Sequence, residues 1–302
     1  MKVSVIIPVY NNADLTKECL ASIFSVGAKY DFEVIVVDNA SSDHTDKVLA
    51  EFSDQVSIIK NKENLGFAKA CNQGAKKASG QFVIFLNNDT IVTRGWLDEL
   101  VFVAENNAQV GVVGAKLLYP DETIQHAGVV FAVNFLPYHV YKKELKDSRF
   151  VNREKEYQAV TGACLLIEKE FFQKLKGFDE IYQNGLEDVD LCLKVRKNGR
   201  KVIYCPKSVV YHYESMTEGR GGGLAHNERV FLQKWQKKIE VDDRKQLLKD
   251  GYFDDKPTLA TALEVRDGRI FFLEKKIDLM ENSFFWRVRN FYLKSKSLFR
   301  FR

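Results

Sequence analysis

The chain has 302 residues, of which 45% are hydrophobic and 28% charged, and its formal net charge at pH 7 is +4. That length and apolar content suffice for a full hydrophobic core, so we expect a folded rather than a disordered chain. The charge is small, and the first 250 residues hold no basic cluster interleaved with aromatic residues. Nucleic acid is therefore not expected as a partner.

The cysteines and the N-terminus indicate the compartment. The five cysteines lie far apart without a Cys-x-x-Cys pair, which predicts neither a zinc site nor a disulfide framework and favours reduced thiols in cytoplasm. The first apolar run is too short for a signal peptide, and no window of about twenty apolar residues follows it. We expect a cytoplasmic protein that meets a membrane only from the surface, at the inner face of the cell membrane.

Strand and helix patterns alternate along the first part of the chain. Apolar runs predict strands at 3–9, 32–37, 56–60 and 82–86, and helical spacing predicts helices at 12–24, 45–52 and 68–78. Strands that are apolar on both faces and alternate with helices predict a parallel sheet covered on both sides. In such sheets, ligands bind beyond the carboxyl ends of the strands. Three polar clusters fall there and predict one site: Tyr10-Asn11-Asn12, Asp38-Asn39 and Asn87-Asn88-Asp89.

The alternation stops after a strand predicted at 110–118. Residues 120–156 form a mixed stretch that is densely charged from 142 onward, which predicts an excursion over the surface. The later patterns predict strands at 160–167, 201–205 and 209–212, and helices at 169–176, 187–198 and 227–239. Residues 219–223 hold four glycines around Arg220 and predict a flexible segment.

Several side chains are candidates for chemistry at the predicted site. Asp38 can accept the imide hydrogen of a uracil or thymine ring, although its segment is also good helix-starting chemistry. Asn87-x-Asp89 is suited to hold a divalent cation against a diphosphate, because a hard cation needs few protein oxygens when phosphate and water supply the rest. A polar turn is the alternative. His212 can add a nitrogen ligand for a cation such as manganese, or can be a packed residue between tyrosines.

An acidic run opens the helix predicted at 187–198. Glu187-Asp188-Val189-Asp190 lies near a helix N-terminus, where negative charge is favourable in any case. One of its carboxylates can also act as general base on an acceptor hydroxyl while its neighbours position it.

A series of motifs follows in order along residues 1 to 215: Ile7-Pro8-Val9-Tyr10-Asn11, Val37-Asp38-Asn39-Ala40-Ser41-Ser42-Asp43, Asn64-Leu65-Gly66-Phe67-Ala68, Asn72-Gln73-Gly74, Leu86-Asn87-Asn88-Asp89, Gly177-Phe178-Asp179-Glu180, Glu187-Asp188-Val189-Asp190-Leu191 and His212. This ordered series resembles glycosyltransferase family 2. Residues 114–117 and 120–128 further resemble the rhamnosyltransferase-like branch. The resemblance implies a GT-A type nucleotide-binding α/β fold, with a mostly parallel central sheet flanked by helices.

The resemblance also implies roles for individual residues. Donor-binding residues would be Pro8, Tyr10 and Asp38 around the base, Asn64 beside it, Asn72 near the diphosphate where many relatives have an arginine, and Asn87 and Asn88. Asp89 and His212 would hold manganese or magnesium. Asp188 would be the catalytic base, with Glu187 as the neighbour that could take that role.

The implied function is an inverting, metal-dependent glycosyl transfer. A UDP- or dTDP-sugar would donate to a hydroxyl of a glycan or lipid-linked acceptor in cell-surface polysaccharide synthesis. A dinucleotide-dependent dehydrogenase is excluded because the first loop lacks Gly-x-Gly-x-x-Gly. The alternative that remains open is a non-catalytic scaffold on the same fold, which would bind the donor without turnover.

The expected domains are a GT-A domain at 1–240 and a C-terminal helical extension at 241–302. Within the first, 1–115 would bind the donor and 116–240 would hold the acceptor and the catalytic groups. Apolar spacing at 269–284 predicts a short coiled coil for a homodimer, or a helix packed on its own domain. Residues 283–302 have six basic and no acidic side chains. They predict an amphipathic face for an anionic membrane surface, or a solvated tail.

Overall fold

The structure, a computed structural model, describes residues 2–213, 223–255 and 257–281. Its backbone divides into two compact units: the first is Met1–Val130 with Pro137–Glu240, and the second is Phe131–Leu136 with the chain from Val241 onward. The predicted flexible segment at 219–223 lies outside the described residues except for Gly223. The predicted basic tail at 283–302 and the last residues of the predicted coiled coil also lie outside them.

The first half of the first unit alternates strands and helices as predicted. Its elements are β1 (Val3–Val9), α1 (Ala13–Val26), β2 (Phe32–Asp38), α2 (Thr45–Glu51), β3 (Val56–Lys60), α3 (Phe67–Lys77) and β4 (Phe82–Leu86). Every strand and helix predicted in this part of the chain is present, with ends that shift by one or two residues.

The second half is less regular. Its elements are β5 (Thr90–Val92), α4 (Trp96–Asn106), β6 (Val110–Leu118), β7 (Ile124–His126), β8 (Val129–Phe131), β9 (Pro137–His139), β10 (Lys155–Tyr157), β11 (Cys164–Glu168), α5 (Lys169–Lys174), α6 (Glu187–Lys197), β12 (Lys201–His212) and α7 (Leu224–Trp235). No sequence pattern predicted β5, α4 or the short strands β7 to β10. The two strands predicted at 201–205 and 209–212 are one strand, β12, whose register against β6 shifts between Cys205 and Val209.

The main sheet has the strand order β10-β12-β6-β11-β4-β1-β2-β3, with β5 paired to β12 and β7 to β6. Strands β4, β1, β2 and β3 are parallel, and so are β6 and β12. Strand β11 lies antiparallel between β4 and β6 and so joins the two parallel groups. The carboxyl ends of β1, β2 and β4 therefore meet at one edge of the sheet.

Helices cover both faces of this sheet. Val5 and Ile7 of β1 belong to one apolar cluster with Leu20 of α1. On the opposite face α3 lies close to β1, since a Cβ on Gly74 would come within 2.4 Å of the Ile6 side chain. Only a glycine permits that approach, and the burial of each large aliphatic side chain stabilises the fold by about 1.5–3 kcal/mol.

The prediction of a surface excursion at 120–156 is wrong for residues 124–132, all of which are buried. Ile124, Gln125 and His126 are buried, and β7 pairs with β6 in the main sheet. The charges that suggested a surface path lie later, where Lys142, Lys143 and Asp147 are exposed. The early polar residues are buried because other protein groups hydrogen-bond them, which composition does not reveal.

The second unit is helical in the described residues, with α8 (Asp243–Lys249), α9 (Tyr252–Asp255) and α10 (Pro257–Glu281). The Phe131 N–H donates to Asp242 Oδ1 (2.8 Å), and Arg266 Nη2 lies 2.6 Å from Asp243 Oδ2. Phe271 and Phe272 on α10 are exposed. Among the described residues, no helix is both long and apolar enough to cross a membrane.

Candidate active site

A cavity of about 180 Å³ lies at the sheet edge where β1, β2 and β4 end. The three polar clusters of the sequence meet there as predicted, and the segment 161–163 and the start of α6 complete the wall. Eight of the eleven predicted site residues line it: Pro8, Tyr10, Asn64, Asn87, Asn88, Asp89, Glu187 and Asp188. Asp38, Asn72 and His212 do not.

Asp89 and His212 are brought together by the pairing of two strands. Strand β5 begins at Thr90, directly after Asp89, and pairs antiparallel with the end of β12 so that Thr90 lies opposite His212. The Tyr213 N–H donates to the Asp89 carbonyl (3.0 Å) and extends the pairing. As a result, His212 Nε2 lies 3.1 Å from Asp89 Oδ1, and both side chains are buried.

Two amides complete the surroundings of His212. Asn87 Nδ2 lies 3.2 Å from His212 Nε2. On the other side of the ring, Gln125 Oε1 lies 2.6 Å from His212 Nδ1, and Gln125 Nε2 donates to the His212 carbonyl (3.0 Å). His212 thus lies behind the cavity wall, one side chain away from the space that Asp89 lines. The sequence analysis did not identify Gln125.

Asp89 and His212 are the described side chains that would hold a divalent cation at this cavity. The described residues contain no group of three or more His, Cys, Asp or Glu side chains placed to hold a metal. Asp89 and His212 nevertheless offer one oxygen and one nitrogen side by side, which suits a cation whose other positions phosphate oxygens and water fill. The described lining contains the carboxylates Asp89, Glu187 and Asp188 and neither lysine nor arginine. The residues present therefore fit a cation bound together with a diphosphate.

Asp188 is held at the cavity wall by two backbone groups. Its Oδ2 accepts the Gly162 N–H (2.7 Å), and its Oδ1 accepts the N–H of the next residue, Val189 (2.8 Å). A Cβ at position 162 would lie 3.0 Å from the Asp188 Cβ, so glycine permits this close contact. Glu187 is buried, and its Oε2 accepts the Gly185 N–H (2.6 Å). A carboxylate has about four acceptor positions, and these two backbone bonds use two of those on Asp188.

The loop before α6 has an unusual backbone. Asn184, Gly185 and Leu186 all have positive φ angles, of 52°, 139° and 72°. A leucine in that region is strained, and such strain persists only where surrounding contacts enforce it. Asn184 Oδ1 accepts the Phe67 N–H at the start of α3 (3.0 Å). The buried Asn227 of α7 holds the same loop by three hydrogen bonds. Its Oδ1 accepts the Gln183 N–H (2.8 Å), and its Nδ2 donates to the carbonyls of Gln183 and Gly185 (3.0 Å each).

Asp190 anchors α6 and does not reach the cavity. Fully buried, it accepts hydrogen bonds from Tyr182 Oη (3.2 Å) and Trp235 Nε1 (2.7 Å). Lys194 Nζ is 2.9 Å from its Oδ2, and Lys234 forms a second ion pair. Burial and the nearby Asp190 charge raise the pKa of Tyr182, so its hydroxyl stays protonated and donates. The acidic run therefore separates into Glu187 and Asp188 at the cavity and Asp190 in the interior.

At the wall predicted to bind the nucleotide base, Asn39 lines the cavity and the predicted residue Asp38 does not. Asp38 is buried outside the cavity lining, and its Oδ1 accepts the Ser41 N–H (2.9 Å). Asn39 lines the cavity instead. Its side chain accepts from Asn61 Nδ2 (2.8 Å) and donates to the Gly66 carbonyl (3.2 Å), which fixes the wall. Position alone does not separate adjacent polar residues at a strand end, so the Asp38-Asn39 cluster predicted the site but not which of its two side chains lines the cavity.

Asn72 does not line the cavity, and its side chain is bonded to the segment around Phe178. Its Oδ1 accepts the Phe178 N–H (3.0 Å), and its Nδ2 donates to the Phe178 carbonyl and to Glu180 Oε1 (3.0 Å each). Gly177 (φ +69°) packs against it so closely that a Cβ there would lie 2.5 Å from the Asn72 Oδ1. All polar atoms of this amide are engaged in holding the segment that leads towards α6.

Residues 4–175 match Glycosyl transferase family 2, and residues 145–218 match a second family described as the N-terminal domain of galactosyltransferase. The first match covers more than half of the chain, which therefore belongs to glycosyltransferase family 2.

Two curated relatives illustrate the range within the family. The chain is 34% identical to the O-antigen biosynthesis protein RfbC of Myxococcus xanthus over 71% of its own length but only 17% of that protein. It is 25% identical to the N-acetylglucosaminyl-diphospho-decaprenol L-rhamnosyltransferase of Mycobacterium tuberculosis over 70% of its own length and 77% of that protein. RfbC is thus much longer than the region it shares with this chain.

Solved structures show that the fold is of the GT-A type. The mannosyltransferase of Pyrobaculum calidifontis in complex with GDP-Man and Mn²⁺ matches 95% of this chain and 82% of its own, with a TM-score of 0.59 and 19% identity. GalNAc-T7 with UDP, GalNAc and Mn²⁺ matches 70% of this chain and 44% of its own, also with a TM-score of 0.59, at 20% identity. At identities of 19% and 20%, these matches establish the fold of this chain but not its substrates.

Proposed function

We propose that this protein is an inverting, metal-dependent glycosyltransferase that moves a sugar from a UDP- or dTDP-sugar to a hydroxyl of a glycan or lipid-linked acceptor in cell-surface polysaccharide synthesis. The observation that carries the proposal is that Asp89 and Asp188, ninety-nine residues apart in sequence, line one cavity, with His212 in contact with Asp89. The relatives named for O-antigen biosynthesis and rhamnosyl transfer support the substrate class.

The donor would lie along the sheet edge. Its base would rest against Pro8, Tyr10 and Asn64, and Asn39 extends that wall. Asp38 would not contact the nucleotide base; it would shape that wall by holding the turn to Ser41. Asn87 and Asn88 would face the ribose and the diphosphate. The bonds of Asn72 to Phe178 and Glu180 support a structural rather than a diphosphate-binding role for it.

Asp89 and His212 would hold manganese or magnesium. When bound, the cation neutralises the charge that grows on the departing diphosphate. The carboxylates of the cavity wall make that neutralisation necessary, because a diphosphate brought there alone would meet only like charge from the described ionisable side chains.

Asp188 would take the proton of the acceptor hydroxyl. The acceptor oxygen forms a bond to the anomeric carbon from the face opposite the nucleotide, while the bond from that carbon to the diphosphate oxygen breaks with its electron pair. The configuration at the anomeric carbon inverts. The bonds from Gly162 and Val189 orient the Asp188 carboxylate for this transfer, and Glu187 beside it is the alternative base.

We assign the transferase site to residues 1–240 and treat 241–302 as a helical extension. The basic composition of 283–302 supports contact with an anionic membrane surface at the cytoplasmic leaflet, where a lipid-linked acceptor would be met. The exposed Phe271 and Phe272 on α10 support self-association through 269–284.

The donor and the cation can be tested by thermal unfolding with a panel of UDP-, dTDP- and GDP-sugars, each with manganese and with a chelator. We expect one uridine or thymidine sugar to raise the Tm with manganese, because a ligand at about a hundred times its Kd stabilises the folded state by about 2.7 kcal/mol. Asp89→Asn should lose the manganese-dependent part of the shift.

Asp46→Asn is the matched control, because Asp46 is an exposed residue paired with Lys60 on the surface. It should behave as the wild type does. If no nucleotide sugar raises the Tm, or if Asp89→Asn keeps the full manganese-dependent shift, the proposed donor site is wrong.

A further inference from the structure

Two hydrogen-bond contacts join Gln125 to His212, and the proposed reaction gives Gln125 no role. Gln125 is 1% exposed and lies on β7, behind the cavity wall. Its Nε2 donates to the His212 carbonyl (3.0 Å), and its Oε1 lies 2.6 Å from Nδ1 of the same residue. The backbone of Gln125 is fixed as well, since its carbonyl lies 3.1 Å from His139 Nδ1.

This geometry determines which ring nitrogen of His212 carries the proton. A backbone carbonyl only accepts hydrogen bonds, so the Gln125 amide turns its NH₂ group to the His212 carbonyl and its Oε1 to the ring. Oε1 also only accepts, so His212 Nδ1 must donate to it. In a neutral imidazole, which has one N–H, that proton is then on Nδ1, and Nε2 presents its lone pair.

The lone pair of His212 Nε2 faces a carboxylate. Asp89 Oδ1 is 3.1 Å from Nε2, and both atoms are acceptors when the ring is neutral. Asn87 Nδ2, which is a donor, lies 3.2 Å from the same nitrogen, as expected for a nitrogen with a lone pair.

We propose that Gln125 is a positioning residue that selects the Nδ1–H tautomer of His212, so that the Nε2 lone pair and Asp89 Oδ1 together present a preformed two-atom seat for a divalent cation. This inference rests on the proposed function, because it deepens the assignment of Asp89 and His212. Gln125 touches neither the cation nor the donor and acts only through the imidazole ring.

The test uses the full chain with ¹⁵N-labelled histidine, free of metal, at pH 8.5, where ordinary imidazoles are neutral. Long-range ¹H–¹⁵N spectra report the tautomer, and loss of a signal in His212→Gln assigns it. We expect the Nδ1–H form in the wild type and its loss in Gln125→Met, which has a similar volume and no amide. In Gln125→Glu the Nδ1–H form should persist, since a carboxylate still accepts from Nδ1.

The second readout is the Kd for Mn²⁺, titrated with UDP and with dTDP present. Loss of the bond that orients a metal-ligating histidine typically weakens metal binding about 10- to 100-fold, which we expect for Gln125→Met. Gln125→Glu should lose less. Gln158→Met is the matched control, because Gln158 is also a buried glutamine, bonded to Glu240 away from the cavity lining. It should change neither the tautomer nor the Kd.

The two readouts separate the inference from the function on which it rests. A wild-type His212 protonated on Nε2, or a Gln125→Met that keeps both the tautomer and the Mn²⁺ affinity, would overturn the role of Gln125. A wild type that shows the Nδ1–H form but binds Mn²⁺ no better than Asp89→Asn would instead overturn the proposed cation site, and the pair would then be structural.

Discussion

Glu187 and Asp188 are neighbours in sequence, but the structure gives them different surroundings. Asp188 is oriented by the N–H groups of Gly162 and Val189, which belong to two separate segments of the cavity wall. The Glu187 carboxylate is bonded to Gly185 within its own loop. Burial raises the pKa of the Cys71 thiol, and the Glu187 charge raises it further.

We expect Asp188→Asn to keep donor binding and to lose transfer. The amide has the size of the carboxylate but takes no proton, and a positioned general base contributes about 10²- to 10⁴-fold to a rate. The measurement is release of nucleoside diphosphate with the identified donor and acceptor, beside a donor Kd from calorimetry.

Glu187→Gln is the paired variant for this experiment, and it should lose much less activity. If Glu187→Gln loses transfer while Asp188→Asn stays active, the base is Glu187. If neither change lowers turnover, the site is not catalytic as proposed. Donor binding without any turnover in the wild type would favour a scaffold on the same fold.

Asn72 and Asn39 both lie in identified motifs, but the motifs did not predict the contacts of their side chains. The resemblance places Asn72 near the diphosphate, yet its amide makes three bonds to Phe178 and Glu180. Those partners lie more than a hundred residues away, so no local pattern could indicate them. Asn39, in contrast, lies within a motif that was identified, and only the direction of its side chain was unknown.

Among the elements, α7 has the clearest structural link to the proposed site. Its Asn227 bonds the loop with positive φ angles before α6, and its Trp235 donates to the buried Asp190 on α6. Lys234 adds ion pairs to Asp179 and Asp190. Burial opposes the charge of Lys234, but its bonds to these carboxylates outweigh that and raise its pKa, so the lysine stays charged. Helix α7 therefore holds the segment that presents Glu187 and Asp188.

We expect Asn227→Ala to lower both stability and turnover. The change removes three part-buried hydrogen bonds to Gln183 and Gly185, and a typical hydrogen bond contributes about 0.5–1.5 kcal/mol to stability. The strained loop then loses its restraint, and misplacement of a catalytic group by about 1 Å can cost about a hundredfold in rate. Thermal unfolding and turnover with saturating donor measure the two effects.

Asn198→Ala is the control for this prediction, because Asn198 caps the other end of α6 with one exposed bond to the Lys194 carbonyl. It should change turnover little. An Asn227→Ala protein that remains folded and turns over at the wild-type rate would show that α7 does not position the carboxylates.

At the scale of the whole molecule, the alternating first half was predictable because each element follows local rules. Strands β1 to β4 are continuous apolar runs, and the helices between them have apolar spacing, so sheet and site edge follow from periodicity. The second half departs from that pattern because long-range pairing decides it. Strand β11 is placed antiparallel by β4 and β6, and β5 is three residues long and exists through its pairing with β12.

The same difference explains the site. Residues at the ends of β1 and β4 were identified from position alone, and they line the cavity. Gln125, Asn184 and Asn227 were not identified, since each acts through a bond to a distant segment. Buried polar residues such as Gln125 look like surface residues in composition, which is also why the stretch from 120 was predicted to lie on the surface.

The most direct test of the whole account is anomalous diffraction at the manganese edge from crystals of the full chain grown with Mn²⁺ and the preferred nucleotide. We predict one manganese peak in contact with both Asp89 and His212. The nucleotide base should lie against Tyr10 and Asn39, with the diphosphate between the base and the manganese. A nucleotide ordered elsewhere on the protein, or a manganese peak away from Asp89 while this cavity stays empty, would contradict it.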